Sequence, residues 1–203
     1  MFLASSSKNF RILTGNATRN KGGREMTEKE FQDILTAKLK EYFKKDGIAV
    51  NKWKNLIYRV IVGSNMKYVP ETPLKNVKGR FAFQTDILIS KDSVPLVVIE
   101  LKYRGITTHD ILTCSSKAQE HKRIYPYLRY GLVAGGRKNI PKRFFVYNFS
   151  FDFAFALSDL EDEEEIKKFV EILREQVSNA SILLKIFEQN KKVKFVNSSL
   201  KIE

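Results

Sequence analysis

Two apolar segments that carry charged residues, "FQTDILI" (83–89) and "VPLVVIELKY" (94–103), constrain the fold of this chain more than any other feature. Both are rich in the branched and aromatic residues that favour β-strands. A short polar turn around Asp92 separates them, so we predict an antiparallel hairpin. Charged residues in so apolar a hairpin are costly to bury unless other charged or polar groups pair with them.

The alternation of side chains along a strand places these charges on one face. Glu100 and Lys102 are two residues apart and therefore project to the same side, whereas Ile99 and Leu101 project to the other. A turn centred near Asp92 puts Asp86 opposite a residue between 98 and 100. The two carboxylates can then approach closely enough to chelate a cation, and a small set of hard oxygen ligands suits Mg²⁺. With Lys102 available to position water or stabilise a charged phosphate, the set predicts phosphodiester hydrolysis.

The pattern of Thr85-Asp86, thirteen intervening residues and Glu100-Leu101-Lys102 resembles the motif of the PD-(D/E)XK nuclease superfamily. The resemblance implies an α/β, restriction-endonuclease-like fold, in which helices flank a mixed β-sheet in the order αβββαβ. The core would cover residues 27–135, with a C-terminal strand and helices added over 143–203. By the same resemblance Asp86, Glu100 and the backbone carbonyl of Leu101 bind the metal, and Lys102 is the catalytic amine. Mn²⁺ is a possible substitute for Mg²⁺.

Two further candidate catalytic residues come from the same resemblance. Many members supply an acidic residue from the first helix, and Glu30 is our candidate, although Glu30 equally completes a capping box that begins at Thr27. Some members use a glutamine from the helix after the hairpin, which points to Gln119, although an exposed polar helix face explains that residue too. For the motif itself, the structural alternative is a cross-strand ion pair of Asp86 with Lys102 at a sheet edge.

Periodicity predicts the remaining elements. We expect helices over 27–45 and 108–124, a strand at "RFAFQTDILI" (80–89) as the first arm of the hairpin, a buried strand at "YGLVAGG" (130–136), one long strand over 143–157 and helices in the tail. "NLIYRVIVG" (55–63) fits a strand or a short helix, and residues 1–25 fit a basic, flexible arm ahead of a single nuclease domain over 26–203.

The charge of the chain indicates the class of partner. The net charge is +13, and residues 1–145 carry 28 Lys and Arg against 12 Asp and Glu, whereas residues 146–203 carry 8 against 11. Such an excess favours nucleic acid. The sequence shows neither a secretion signal nor an apolar run that could span a membrane, so we expect a cytoplasmic protein with no membrane partner. The one cysteine, Cys114, excludes an internal disulfide.

The sequence therefore predicts a Mg²⁺-dependent endodeoxyribonuclease that cuts double-stranded DNA, in the manner of a restriction enzyme. Palindromic cutting would require a homodimer. The loops at 64–80 and 135–143 are candidates for reading bases. A Holliday-junction resolvase or an exonuclease of the same fold is the alternative within enzymes, and a non-catalytic DNA-binding module is the alternative of another class.

Overall fold

The computed structural model describes residues 25–70, 81–189, 191–196 and 201–202. The predicted N-terminal arm, apart from Glu25, and residues 71–80 of the predicted base-reading loop lie outside this part. The helices are α1 (Glu28–Phe43), α2 (Thr108–Ile124), α3 (Lys142–Tyr147) and α4 (Glu163–Gln189). The strands are β1 (Ile48–Lys52), β2 (Asn55–Ile57), β3 (Ile61–Val62), β4 (Tyr68–Val69), β5 (Ala82–Gln84), β6 (Ile87–Lys91), β7 (Val94–Tyr103), β8 (Arg129–Gly135) and β9 (Phe153–Leu157).

A mixed five-stranded sheet in the order β1-β6-β7-β8-β9 forms the centre of the structure. Neighbours are antiparallel from β1 to β7, and β8 and β9 then run parallel to β7. Two small antiparallel ribbons, β2 with β5 and β3 with β4, complete the strand pairing among the described residues. The predicted α/β class with a mixed sheet between helices is confirmed.

Two hydrophobic cores cover the two faces of the sheet. On one face, α1 and α4 pack on the odd-numbered residues of β7 such as Ile99 and Leu101. On the other face, α2 and α3 pack on Val98 and on β8 residues that include Tyr130. Burial of each large apolar side chain contributes about 1.5–3 kcal/mol, so both faces of β7 are held firmly. This strand is the central element of the molecule.

The N-terminus of α1 follows the prediction from its sequence. Thr27 caps the helix by accepting a hydrogen bond from the Glu30 backbone, and the Glu30 side chain accepts one from the Thr27 backbone in return. The helix ends close to the predicted boundary, and the turn that follows closes at Gly47, whose φ of 64° suits glycine. The helix predicted over 108–124 is also confirmed, with the same bounds.

The strand predicted over 80–89 is wrong as a single element. Phe83 belongs to β5, which pairs with β2, and Ile87 begins β6, which pairs with β1 and β7. Thr85 and Asp86 lie between the two strands, where Thr85 hydrogen-bonds to the carbonyl of Lys54 instead of continuing a ladder. The alternating pattern is uninterrupted there, which is why the sequence suggests one strand. Asp86 consequently lies just before a strand rather than inside one.

The long strand predicted over 143–157 is also wrong, because its first part is the short helix α3 and its second part is β9. Asn148 separates them: its side-chain oxygen accepts hydrogen bonds from the backbones of Ser150 and Phe151, which forms a turn. The tail contains one long helix, α4, among the described residues. The strand β1, which directly follows the turn at Gly47, is an element that the sequence analysis does not predict.

We expect Gly135→Ala to destabilise the protein. A Cβ at this position would lie 2.7 Å from Cε1 of Phe31, a buried ring that stacks against Tyr103 and has little room to move. Overpacking of this kind costs about 1–3 kcal/mol. Urea unfolding should show the loss, whereas Gly105→Ala should leave stability nearly unchanged because nothing lies within 4 Å of the added carbon. Equal effects of the two substitutions would contradict this account of the packing.

Candidate active site

A one-residue bulge in the β6–β7 hairpin determines which side chains meet. The turn at Asp92 and Ser93 has positive φ at both residues, as two-residue hairpin turns require. Close to the turn, Lys91 pairs with Val94, but the register shifts by one residue beyond Ser90, so that Ile87 pairs with Ile99. Extending this register puts Asp86 opposite Glu100. Without the shift, Asp86 would oppose Ile99, and its side chain would project to the other face of the sheet.

Asp86 is held from two sides. Its carboxylate oxygen Oδ2 accepts a hydrogen bond of 2.8 Å from the backbone N–H of Leu101, and its backbone carbonyl accepts one of 2.7 Å from the side chain of the buried Gln32. Burial, and after it the nearby Glu100 carboxylate, raise the pKa of Asp86 to about 6. The ionised carboxylate is therefore in an unfavourable environment that a positive charge would improve.

Glu100 is buried, with 2% of its surface exposed, and is fully surrounded by donors. Oε1 accepts a hydrogen bond of 2.8 Å from the Tyr130 hydroxyl, and Oε2 lies 3.0 Å from the ammonium group of Lys117 and 3.7 Å from Sγ of Cys114. Burial, followed by the Glu100 charge, raises the pKa of Tyr130 well above its usual value, so the phenol stays protonated and donates. The same causes raise the pKa of Cys114 to about 12, so this cysteine is not a reactive thiolate at neutral pH.

Lys102 lies on the same face as Glu100, as the alternation predicts, and it meets a carboxylate that the sequence analysis did not select. Its Nζ is 3.6 Å from Oε1 of Glu28, whose other oxygen accepts a hydrogen bond of 3.0 Å from the Tyr103 backbone. Burial lowers the pKa of Lys102, but the surrounding carboxylates, Glu28 first among them, more than offset this and hold it above its usual value. The amine is therefore charged at neutral pH.

The structure locates the two other candidates less centrally. Glu30 is bound to the backbone and hydroxyl of Thr27 in the capping box, while Glu28 is the α1 carboxylate that contacts the end of β7. Gln119 is exposed on α2, two residues beyond Lys117, which turns it about 200° around the helix from the residue that reaches Glu100. Leu101 contacts Asp86 through its N–H.

Glu28, Gln32, Lys117 and Tyr130 are residues of the site that sequence reasoning missed. For Glu28 a signal exists in the helical spacing, since it precedes the buried Phe31 by three positions and the buried Gln32 by four. Lys117 lies three residues after the buried Cys114 on the inner side of α2. Nothing in the local sequence around Tyr130 distinguishes it from an ordinary core aromatic.

An open groove of about 460 Å³ leads to this cluster. Lys117 belongs to both the groove and the cluster. Its ammonium group contacts Glu100 and also lies 3.5 Å from the carbonyl oxygen of Gln84. The groove runs between β5 and the start of α2, and its lining is Phe83, His109, Leu112, Thr113, Ser116 and Lys117. A ligand in the groove would therefore contact Lys117, the residue that pairs with Glu100.

No known family model matches the sequence, and no curated protein is significantly similar to it. Within the described ranges, no group of three or more Asp, Glu, His or Cys side chains is placed to hold a metal ion. No helix in that part of the chain is long and apolar enough to cross a membrane.

The raised pKa of Asp86 leads to a stability prediction. The carboxyl ionises near pH 6 in the folded protein but near pH 4 in an unfolded chain, so above pH 6 its charge disfavours folding. Asp86→Asn removes that charge and keeps an oxygen for the Leu101 N–H. We expect the free energy of unfolding at pH 8 to rise by about 1–3 kcal/mol, with the gain shrinking as the pH falls from 6 towards 4.

Urea titrations at pH 8 and pH 4.5 measure this difference. Asp92→Asn, in the exposed turn of the same hairpin, is the matched control and should change stability little at either pH. A loss of stability at pH 8 in Asp86→Asn would contradict the prediction.

Proposed function

We propose that the protein is a Mg²⁺-dependent nuclease that hydrolyses phosphodiester bonds of DNA, with Asp86, Glu100 and Lys102 as its catalytic groups. The observation that carries the proposal is the meeting of Asp86 and Glu100 across the bulged hairpin, with Lys102 on the same face. An ordinary ion pair of Asp86 with Lys102 explains this arrangement less well, because Lys102 contacts Glu28 and Asp86 is bound by the Leu101 backbone.

The order of the elements supports the resemblance to the PD-(D/E)XK superfamily. A helix, α1, precedes three antiparallel strands, β1, β6 and β7, and these are followed by α2 and the parallel strand β8. This is the αβββαβ order that the resemblance implies, with β2–β5 inserted between the first and second core strands and α3, β9 and α4 added at the end. The catalytic motif spans the second and third core strands.

The donor set fits a magnesium ion. Mg²⁺ is commonly bound by one or two carboxylates together with water and substrate phosphate, so a third carboxylate is not required. Asp86 and Glu100 supply two carboxylates, and the raised pKa of Asp86 reflects its burial and then the repulsion from Glu100, both of which a bound cation would offset. When bound, the ion would polarise the phosphate and lower the pKa of a coordinated water. The Leu101 carbonyl remains a proposed ligand.

Each neighbour of the catalytic groups has a task that follows from its contact. Gln32 and the Leu101 N–H orient Asp86, while Tyr130 and Lys117 orient Glu100 and balance its charge. Lys102, charged at neutral pH, is available to stabilise the added negative charge of the phosphorane or to position the attacking water. Glu28 positions Lys102 and keeps it protonated. Glu30 and Gln119 become secondary candidates.

The substrate that we propose is double-stranded DNA cut in the manner of a restriction enzyme. The net charge of +13 favours a polyanion, and the groove beside α2 gives it a route to the catalytic groups. A homodimer would provide the symmetry for palindromic cutting, with the C-terminal helix as a candidate surface. Resolvase, exonuclease and simple DNA-binding functions are distinguished by the assay below.

We expect supercoiled plasmid to be cut in the presence of Mg²⁺ and to remain intact with a chelator. Lys102→Ala and Asp86→Asn should each reduce the rate by about 10² or more, because they remove groups that act on the transition state. Both variants should keep most of their DNA binding at low salt. Lys91→Ala, at the exposed turn of the same hairpin, removes an amine without touching the site and should cut normally.

The product pattern identifies the subclass. Discrete linear bands indicate a restriction enzyme, progressive loss of linear DNA an exonuclease, and cleavage confined to four-way junctions a resolvase. A mobility shift without cutting indicates a binding module and would refute the proposed catalysis, as would full activity in either active-site variant.

Glu28 and Glu30 can be separated by matched substitutions. Glu28→Gln should lower the cleavage rate and move the alkaline limb of its pH profile to lower pH, because the Lys102 amine loses the carboxylate that most raises its pKa. Glu30→Gln should leave the profile in place, since glutamine also completes a capping box. The reverse pattern in the two pH–rate profiles would identify Glu30 as the acidic residue of the site.

A further inference from the structure

The exposed tryptophan beside the active site has an unusual backbone conformation. Trp53 is the one tryptophan of the chain, it follows β1 directly, and 44% of its surface is exposed. Its φ is 55°, in the left-handed region that bulky residues rarely adopt. Local strain of this kind persists where the surroundings impose it, and it concentrates at ligand-binding and catalytic sites. Trp53 therefore combines a partly exposed aromatic ring with a strained backbone next to the proposed site.

Hydrogen bonds attach Trp53 to the segment that carries Asp86. The Trp53 N–H lies 3.4 Å from the carbonyl oxygen of Asp86, and the Trp53 carbonyl accepts a hydrogen bond of 3.4 Å from the Gln84 side chain. The carbonyl of Lys54 accepts two more, from the backbone and hydroxyl of Thr85. The backbone of Trp53 is therefore attached to the same short stretch of chain as Asp86, one of the proposed catalytic carboxylates.

Positive charges surround the indole. The ammonium group of Lys52 lies over the ring at 4.5 Å from its centroid, and that of Lys29 lies at 5.7 Å. Lys52 also pairs with Asp33 on α1, which fixes its position. An aromatic face with ammonium groups beside it combines the two features that bind an unpaired nucleotide, since a base stacks on the ring and the adjoining phosphates meet the charges.

We propose that Trp53 is a stacking platform for an unpaired nucleotide of the DNA substrate, and that Lys29 and Lys52 bind the phosphates on either side of it. The proposal rests on the proposed nuclease function for the class of partner. It adds that the strand to be cut presents a base outside the double helix next to the scissile phosphate, at a strand end, a bulge or a locally opened pair. A fully paired base offers its edges in the grooves but not its face.

The fluorescence of the protein reports this contact directly, because Trp53 is its one tryptophan. The full-length protein is titrated in the presence of a chelator, which stops cleavage, with three DNA probes of equal length. These are a single strand, a relaxed covalently closed duplex circle, which has neither ends nor loops, and the same circle with one bulged nucleotide. We expect strong quenching by the single strand and the bulged duplex, and little by the fully paired duplex.

Two results would overturn the proposal. One is equal quenching by the paired and the bulged duplex, which would mean that no unpaired base is required. The other is quenching by inorganic polyphosphate as strong as that by the single strand, which would mean that the lysines bind phosphate without any stacking.

Substitutions separate a binding role from a structural one. Trp53→Asn should weaken binding of a fluorescein-labelled single strand about tenfold, the loss expected for one stacked base, while Trp53→Phe should keep most of the affinity. Because asparagine accepts a positive φ more readily than tryptophan, Trp53→Asn should unfold at the same temperature as the unmodified protein or higher. Phe187→Asn, at another exposed aromatic on α4, is the matched control and should bind normally.

The outcome for Trp53 is independent of the outcome for catalysis. Unchanged affinity in Trp53→Asn, or a lower unfolding temperature without weaker binding, refutes the stacking role even if plasmid is cut normally. Conversely, quenching and weakened binding support the stacking role even if no cleavage is found, in which case only the nuclease proposal fails.

Discussion

The register of one hairpin is the constraint on which the rest of the candidate site depends. Leu96 is the extra residue of the bulge, and it is buried in the same core as its neighbour Val97, two consecutive side chains on one side of the sheet. From Val97 onwards, each β7 side chain therefore points to the opposite face of the sheet from the one that strict alternation from the turn would give it. The apolar side chains Ile99 and Leu101 thereby enter the α1 and α4 core, and the charged residue between them, Glu100, faces Tyr130 and Lys117.

The bulge also explains how charged residues are accommodated in so apolar a strand. The even-numbered positions of β7 meet Tyr130 and Lys117, which provide a proton donor and a positive charge to Glu100. A buried charge without such partners would destabilise the fold by several kcal/mol. The cost is reduced for Glu100 but persists at Asp86, whose pKa stays high. A few neighbouring side chains thus determine both the stability of this region and the arrangement of the candidate site.

Much of this fold can be predicted from periodicity and capping alone. The capping box at Thr27, the turn at Asp92 and the apolar face of α2 each act locally, so their sequence signals are strong. Elements that depend on distant partners are harder: β1 forms because β6 lies beside it, and the break after β5 arises because Thr85 bonds to the Lys54 carbonyl. The helix α3 within an alternating run depends on the turn at Asn148 in the same way.

The candidate site shows the same difference between local signals and contacts that depend on distant elements. Strand parity is sufficient to put Glu100 and Lys102 on one face, and hairpin geometry brings Asp86 close to them. The choice between Glu28 and Glu30 depends on which side of the first turn of α1 faces the end of β7, and the role of Lys117 depends on how α2 crosses the sheet. Both are matters of packing between elements, for which a single sequence holds little information.

The Lys117 ammonium group gives the protein a counter-ion of its own. Because this amine already balances the charge of Glu100, the acidic centre can fold and stay assembled before any divalent cation arrives. In the proposed nuclease, a cation held by Asp86 and Glu100 would compete with the Lys117 amine for Glu100. Lys117 also lines the groove, so its positive charge would then be available to the backbone of a bound strand.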